Sequence, residues 1–213
     1  MRINILTSSD SEFVDSAQEL KNQFNDFGHA SAVYTDHKKM GSGDVLFILS
    51  YFKILSQDEL AKHNNNLVIH ASDLPLGKGF SPIAWQIIEG MNSITFSLFE
   101  ATEALDAGPV YFKRTLDLDG TELYHEWKAL QNQQVMSMAC EFVRQLPNVL
   151  NKARLQTGKE TIYRRRHRGD DQLDLNKPLS SQINILRICN PDKFPAWFEY
   201  KGRNFKISLE PLD

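Results

Sequence analysis

The sequence predicts an α/β protein: an open, mostly parallel sheet over residues 1–150, then a small C-terminal α+β appendage over 151–213. Three observations carry this. Apolar runs of strand length alternate with stretches of helical periodicity, the pattern of a sheet joined by crossover helices. The run Val45–Leu49 is continuous rather than alternating, as suits a strand covered on both faces. After the last long helical stretch the composition turns polar before a short helix and a hairpin.

Taken in order, Ile3-Asn4-Ile5-Leu6 reads as a strand that meets a helix cap at Ser8-Ser9-Asp10-Ser11. From Glu12 to Phe24, residues Phe13, Val14, Ala17, Leu20 and Phe24 recur near helical spacing. Ala30–Tyr34 and Val45–Leu49 are the next strands. A short helix around Gln57–Lys62 leads into Leu67-Val68-Ile69-His70, a fourth strand. An irregular stretch over Ala71–Ser81 follows. Pro82 then suits the first turn of a helix to about Glu89, with Gly90 as its stop. Ile94–Phe99 and Val110–Leu116 read as strands, and Glu122 to about Leu150 as a long helix that Pro147 can end early. In the appendage, Ser181–Ile188 reads as a helix and Ala196–Leu209 as a hairpin turning at Lys201-Gly202-Arg203.

Composition narrows the function. With 41% hydrophobic and 24% charged residues, disorder is excluded. A net charge of -3 argues against coating nucleic acid or an anionic membrane. Cys140 and Cys189 lack zinc-ligand spacing, so neither a disulfide scaffold nor a structural metal is expected. No apolar run reaches membrane-span length, and Met1–Thr7 lacks the apolar region of a signal peptide, so a cytoplasmic location is expected.

Ligands of open α/β sheets bind at the carboxyl ends of strands, which directs attention to His70 and the loop after it. The first strand's turn, Thr7-Ser8-Ser9-Asp10-Ser11, holds no glycine. That disfavours both a dinucleotide fingerprint and a Walker loop. Gly41-Ser42-Gly43-Asp44 precedes a strand and reads as a turn. Leu105-Asp106-Ala107-Gly108-Pro109 lies between two strands beside Glu100 and Glu103, and taken alone is a solvated acidic loop.

In combination these segments say more. His70-Ala71-Ser72-Asp73-Leu74-Pro75, then Gly79-Phe80-Ser81-Pro82, then Leu105-Asp106-Ala107-Gly108 resemble the folate-dependent formyltransferases, from Met1 to about Leu150. The resemblance implies a Rossmann-like formyltransferase sheet and formyl transfer from 10-formyltetrahydrofolate to an amine, without a metal. It implies His70 and Asp106 as the catalytic pair, with Ser72 assisting. The imidazole would polarise the formyl oxygen and shuttle the amine proton, and the carboxylate would orient it. One departure stands out: Val68 occupies the position where the family pattern has asparagine. Loss of one oxyanion donor costs roughly 100- to 1,000-fold in rate. Asn66, Ser72 and Lys78 are the candidates to replace it.

By the same resemblance the folate would contact Ile48, Lys53, Ile54, Leu55 and Leu60, with Ala101, Thr102 and Glu103 along the other pterin edge. Ile48 and Leu60 are equally well read as core, whereas Lys53 suits the folate glutamate. Ser50, Tyr51, Asp73, Lys78 and Gly79 are expected at the acceptor. The cluster Arg164-Arg165-Arg166-His167-Arg168 reads first as a solvated basic loop balanced by Asp170, Asp171 and Asp174. Its alternative is phosphate binding. Phe194, Trp197, Phe198 and Tyr200 read as packing, and the hairpin's apolar residues offer a surface for a homodimer.

Among acceptors, methionyl-tRNA enzymes of this type carry an extra, usually basic barrel, whereas here only residues 151–213 follow the long helix. Glycinamide ribonucleotide enzymes open on a glycine-rich phosphate loop, which Thr7-Ser8-Ser9-Asp10 only partly resembles. The favoured expectation is a sugar-nucleotide N-formyltransferase of the pseudaminic acid or perosamine type, acting on a nucleotide-linked 4-amino-4,6-dideoxysugar for surface glycans. A UDP-linked sugar is favoured. A non-catalytic folate or nucleotide sensor is the alternative from another class, motivated by Val68.

Overall fold

The computed structural model describes residues 1–212. Ten strands and five α-helices follow one another among the described residues. In chain order they are β1 (Arg2–Leu6), α1 (Val14–Asp26), β2 (Ala30–Tyr34), β3 (Gly43–Ile48), α2 (Gln57–Leu60), β4 (His63–His70), β5 (Lys78–Gly79), α3 (Pro82–Ile88), β6 (Ser93–Glu100), β7 (Val110–Asp117), α4 (Tyr124–Gln145), β8 (Ile162–Tyr163), α5 (Ile183–Ile188), β9 (Ala196–Tyr200) and β10 (Arg203–Ile207). The main sheet has six strands in the order β2-β1-β3-β4-β6-β7. β1 to β4 pair in parallel, β6 runs antiparallel to β4, and β7 antiparallel to β6. β6 alone is therefore reversed, and the expected mostly parallel α/β sheet is observed.

Successive residues of the central strands face opposite layers. Ile3, Ile5, Val45, Phe47 and Leu67 join the large core with Ala17, Leu20 and Phe24 of α1 and Met138, Phe142 and Val143 of α4. Leu6 and Leu46 point the other way, into a smaller core with Met40, Leu55 and Leu60. Burial of each such large side chain contributes about 1.5–3 kcal/mol, so the two layers fix where the strand ends sit. No helix among the described residues is long and apolar enough to cross a membrane.

Several boundaries differ from the expected ones, with identifiable causes. β4 begins at His63 rather than Leu67, because the polar run His63-Asn64-Asn65-Asn66 makes its own side-chain bonds inside the sheet. His63 Nε2 meets Asn4 Nδ2 at 2.8 Å, and Asn66 Nδ2 donates to Leu60 O at 3.1 Å. α1 starts at Val14; Ser11 Oγ accepts from Phe13 N at 3.1 Å, so the expected serine cap acts just before the helix. α4 ends at Gln145, ahead of Pro147, which cannot continue the ladder. The C-terminal hairpin turns at Lys201 and Gly202, both in the left-handed region, as expected.

The chain after α4 folds back toward the sheet edge. Val110 bridges Arg154, and β8 adds in parallel to β5. α5 packs near α3, anchored by the buried Arg187. Its guanidinium pairs with Glu122 Oε2 at 3.1 Å and reaches Asn184 Oδ1 at 3.0 Å, while Trp127 Nε1 donates to Arg187 O at 3.0 Å.

Candidate functional site

His70 is the last residue of β4 and faces the loop after it. Its Nε2 lies 2.9 Å from Gly77 O and 3.7 Å from Asp106 Oδ2, with both side chains about nine-tenths buried. A carbonyl oxygen only accepts, so Nε2 carries the proton. That leaves Nδ1 as a lone pair with no partner among the described residues. The ring is thus held in the tautomer of a base, with a carboxylate placed to stabilise its cation.

Asp106 reaches this position through an unusual backbone. Its φ is 47°, in the left-handed region that non-glycine residues seldom adopt. Three groups hold it. Gly79 N donates to Oδ2 at 2.8 Å. Gln156 Nε2 donates to Asp106 O and to Gly108 O, at 2.8 Å each. Gly108 itself lies against β6, where an added Cβ would stand 1.7 Å from Glu100 O, so only glycine lets the loop close there. Gly79 is similarly constrained: its φ is +98° and a Cβ would meet Tyr163 O at 2.4 Å.

Glu100 secures the strand under that loop. Its carboxylate accepts from Tyr111 Oη at 2.7 Å and from Asn66 N at 2.5 Å, and burial raises its pKa above the usual carboxylate range. Glu100 and Gln156 are not among the expected site residues, whereas Gly108 belongs to the Leu105-Asp106-Ala107-Gly108 motif. The glycine beside Asp106 was the available signal, whereas Gln156 lies in a polar stretch without periodicity.

The remaining expected site residues fall into groups. Ser72 is buried at 2% exposure, and its hydroxyl has no hydrogen-bond partner among the described residues. It lies against Gly77, whose carbonyl holds His70: a Cβ on Gly77 would meet Ser72 Cβ at 2.9 Å. Of the side chains expected to replace the missing asparagine, Asn66 spends its amide on Leu60 O and Lys78 its ammonium on Glu160 Oε1 at 2.5 Å. Ser72 is the one of the three whose side chain makes no hydrogen bond among the described residues. Asp73 pairs outward with Lys113.

The loop after β3 carries the expected folate residues. Leu55 and Leu60 are core side chains at 4% and 5% exposure, and Ile48 packs against them. Phe52 and Ile54 are exposed at 57% and 67%, and Lys53 lies exposed between them. Ser50 has φ 53°, and its carbonyl accepts from Ser8 N at 3.3 Å. Tyr51 is tied to His37, with Oη 2.5 Å from Nδ1, and His37 Nε2 lies 2.9 Å from Glu59 Oε1. On the opposite side, Ala101 N donates to Asn66 O at 2.6 Å, Thr102 Oγ1 to Ala104 O, and Gln57 N to Glu103 Oε1.

The arginine run is largely paired. Arg164 engages Asp170 and Arg166 engages Asp171, which bears out the reading of a balanced loop at those two positions.

Comparison with known proteins bears on the fold and the family. A methionyl-tRNA formyltransferase of Mycoplasma genitalium is 25% identical over 177 residues, covering 83% of this chain and 56% of that protein. The chain spans about half the length of the curated relatives it matches first. HypX from Aquifex aeolicus, solved in complex with tetrahydrofolic acid, superposes with a TM-score of 0.80 at 18% identity over 98% of this chain and 37% of that one. A sugar N-formyltransferase from a Shewanella species superposes with a TM-score of 0.70 at 16% identity, covering 100% of this chain and 99% of the other. These likenesses show the fold. The sequence model described as formyl transferase matches residues 18–134, a span that contains both His70 and Asp106. The chain belongs to the formyl transferase family.

Proposed function

We propose that the protein transfers a formyl group from 10-formyltetrahydrofolate to the amine of a nucleotide-linked 4-amino-4,6-dideoxysugar. The observation that carries the proposal is the His70–Asp106 pair, 3.7 Å apart, with the imidazole proton committed to Gly77 O and Nδ1 left free.

An amine attacks only as its neutral form and must lose a proton as the new bond forms. Nδ1 of His70 is the base that takes it, the Asp106 carboxylate stabilises the imidazolium that results, and the imidazolium returns the proton to N10 of the folate as the bond from N10 to the formyl carbon breaks. Ser72 supplies the hydroxyl donor that Val68 cannot, directed at negative charge developing on oxygen. The donor residues suit a folate. Phe52 and Ile54 offer an apolar face, and Lys53 a cation for its glutamate carboxylates. When bound, 10-formyltetrahydrofolate supplies the one-carbon unit.

The net charge of -3 and the likeness to a sugar N-formyltransferase support a small anionic acceptor rather than tRNA. The relative named methionyl-tRNA formyltransferase favours a second reading, with methionyl-tRNA as acceptor. The test is incubation with 10-formyltetrahydrofolate and, in parallel, UDP-, dTDP- and GDP-linked aminosugars, methionyl-tRNA and glycinamide ribonucleotide. Turnover on an aminosugar alone is expected. Turnover only on methionyl-tRNA or glycinamide ribonucleotide replaces the acceptor assignment. Folate binding without transfer to any acceptor makes the protein a sensor.

A further inference from the structure

The members of the basic run Arg164–Arg168 are not equivalent. Arg164 grips Asp170 through both terminal nitrogens, at 2.7 and 2.6 Å, and that pairing holds the Asp170 carboxyl down to about 2. Arg166 is half-buried on Asp171. His167 Nδ1 accepts from Gly169 N at 3.1 Å. Arg168 lies over the Trp197 ring of the hairpin, 5.2 Å from its centroid.

Arg165 differs in its place. It is exposed, and among the described residues its guanidinium has neither a carboxylate nor a hydrogen-bond partner. It lies 4.2 Å from the centroid of the Phe80 ring. Phe80 directly follows Gly79, whose N–H holds Asp106, and Phe80 N donates to Tyr163 O at 3.0 Å. The Lys78–Ile162 and Gly79–Tyr163 ladder fixes the two segments side by side. Main-chain pairing thus sets the segment that carries Arg165 beside β5, and Arg165 contacts the ring that directly follows the glycine whose N–H holds Asp106.

Lys78, next to Gly79, pairs with Glu160, and Lys113 of β7 pairs with Asp73. Arg165 has no carboxylate partner among the described residues, so its charge stays uncompensated on the segment paired with β5. A guanidinium lying over an aromatic ring without a hydrogen-bond partner keeps its N–H groups free, and those groups match two phosphate oxygens at once.

We propose that Arg165 is the specificity contact for the acceptor: its guanidinium receives the diphosphate of a nucleoside-diphosphate-linked substrate whose amine reaches His70. The proposal rests on the aminosugar reading above and adds to it the residue that selects for a diphosphate.

The test is calorimetric titration of UDP, dTDP, GDP and inorganic pyrophosphate into the wild type, Arg165→Ala, Arg165→Lys and Arg168→Ala, with melting curves to show that each is folded. The wild type is expected to bind at least one nucleoside diphosphate. Arg165→Ala should weaken that binding by about tenfold or more. Arg165→Lys should recover part of it, because an ammonium restores charge without the planar fork. Arg168→Ala, on the same run but over Trp197, should bind as the wild type does. Pyrophosphate binding with the same dependence on Arg165 assigns the contact to the phosphates themselves. The proposal is overturned if the wild type binds none of these probes, or if Arg165→Ala binds them as tightly as the wild type. The aminosugar reading fails separately: Arg165-dependent nucleoside diphosphate binding with no formyl transfer to any aminosugar would reject it and leave this contact standing.

Discussion

The side-chain amide of Gln156 closes on the Asp106 loop from a segment 50 residues further along the chain, donating to the main-chain oxygens of Asp106 and Gly108 at 2.8 Å each. It thereby holds a left-handed aspartate whose φ of 47° the loop would otherwise relax. Gln156 touches neither His70 nor a reactant, so it is a positioning residue. Gln156→Ala should lower kcat by roughly 30-fold while leaving the acceptor KM near its wild-type value, given about 1 kcal/mol for each of the two hydrogen bonds lost. Gln156→Glu, which keeps the shape but cannot donate when ionised, should behave like the alanine variant. Steady-state kinetics decide this, and a glutamate variant with full activity would show that the two donated bonds are irrelevant.

Asp106 can be tested through its charge alone. Asparagine at this position keeps an oxygen for the Gly79 N–H, which now donates to Oδ2 at 2.8 Å, and so preserves the loop. What it loses is the anion beside the imidazolium formed when His70 takes a proton. Asp106→Asn should therefore bind a folate analogue normally but turn over at about 1% of the wild-type rate or less. A near-normal rate would show that the carboxylate only ties the loop.

Ser72 separates catalysis from stability. Its hydroxyl is buried without a partner, so removing it takes away an unsatisfied polar atom. Ser72→Ala should melt at or above the wild-type temperature while losing roughly 100- to 1,000-fold in kcat, the usual effect of deleting an oxyanion donor. Unchanged turnover would send the search for the donor elsewhere. A fall in melting temperature would mean the hydroxyl has a structural bond.

Whether a feature was legible in the sequence followed from how it is held. β1, β2 and β3, the hairpin and the His70 strand end were legible because apolar packing dictates them. The Asp106 loop was legible through its glycine and its relation to known motifs. The first half of β4 was missed because His63, Asn65 and Asn66 are polar residues held in the sheet by side-chain bonds, which leave no apolar period. The supports of the site were missed for a related reason. Gln156, Glu160 and Tyr163 meet Asp106, Lys78 and Phe80 across long stretches of chain, from a polar segment in which no local pattern marks one residue over another.

His37 is a support of a different loop. Burial keeps the Tyr51 phenol above its usual pKa, so its hydroxyl remains a donor. The Glu59 carboxylate accepts from Ser56 N at 2.7 Å and from the His37 Nε2–H at 2.9 Å, which leaves Nδ1 to accept from Tyr51. This chain anchors the segment carrying Phe52, Lys53 and Ile54. His37→Ala should raise the KM for 10-formyltetrahydrofolate by about three- to tenfold, the effect of one or two lost hydrogen bonds, with kcat at saturating donor little changed. An effect confined to kcat would detach this loop from the donor.

His63 makes stability depend on pH. The ring is 6% exposed, its Nε2 accepts from Asn4 Nδ2 at 2.8 Å, and its Nδ1 is buried without a partner. A second proton would have to sit on Nε2, facing the N–H of Asn4, so the charged form is excluded by geometry as well as by burial. Burial, and after it the charge of Lys62, pushes the pKa below the ordinary 6.5. Below that value the unfolded chain takes up a proton that the folded ring refuses, so the unfolded state binds more protons and stability falls as pH drops. The slope attributable to one such group is at most about 1.4 kcal/mol per pH unit. The wild type should therefore lose stability from pH 7 to pH 5 more steeply than His63→Gln, whose amide oxygen can still accept from Asn4. Denaturant unfolding at several pH values measures the gap between the two proteins, which should narrow steadily on acidification. A gap that stays constant would mean that His63 does not titrate differently in the folded and unfolded states.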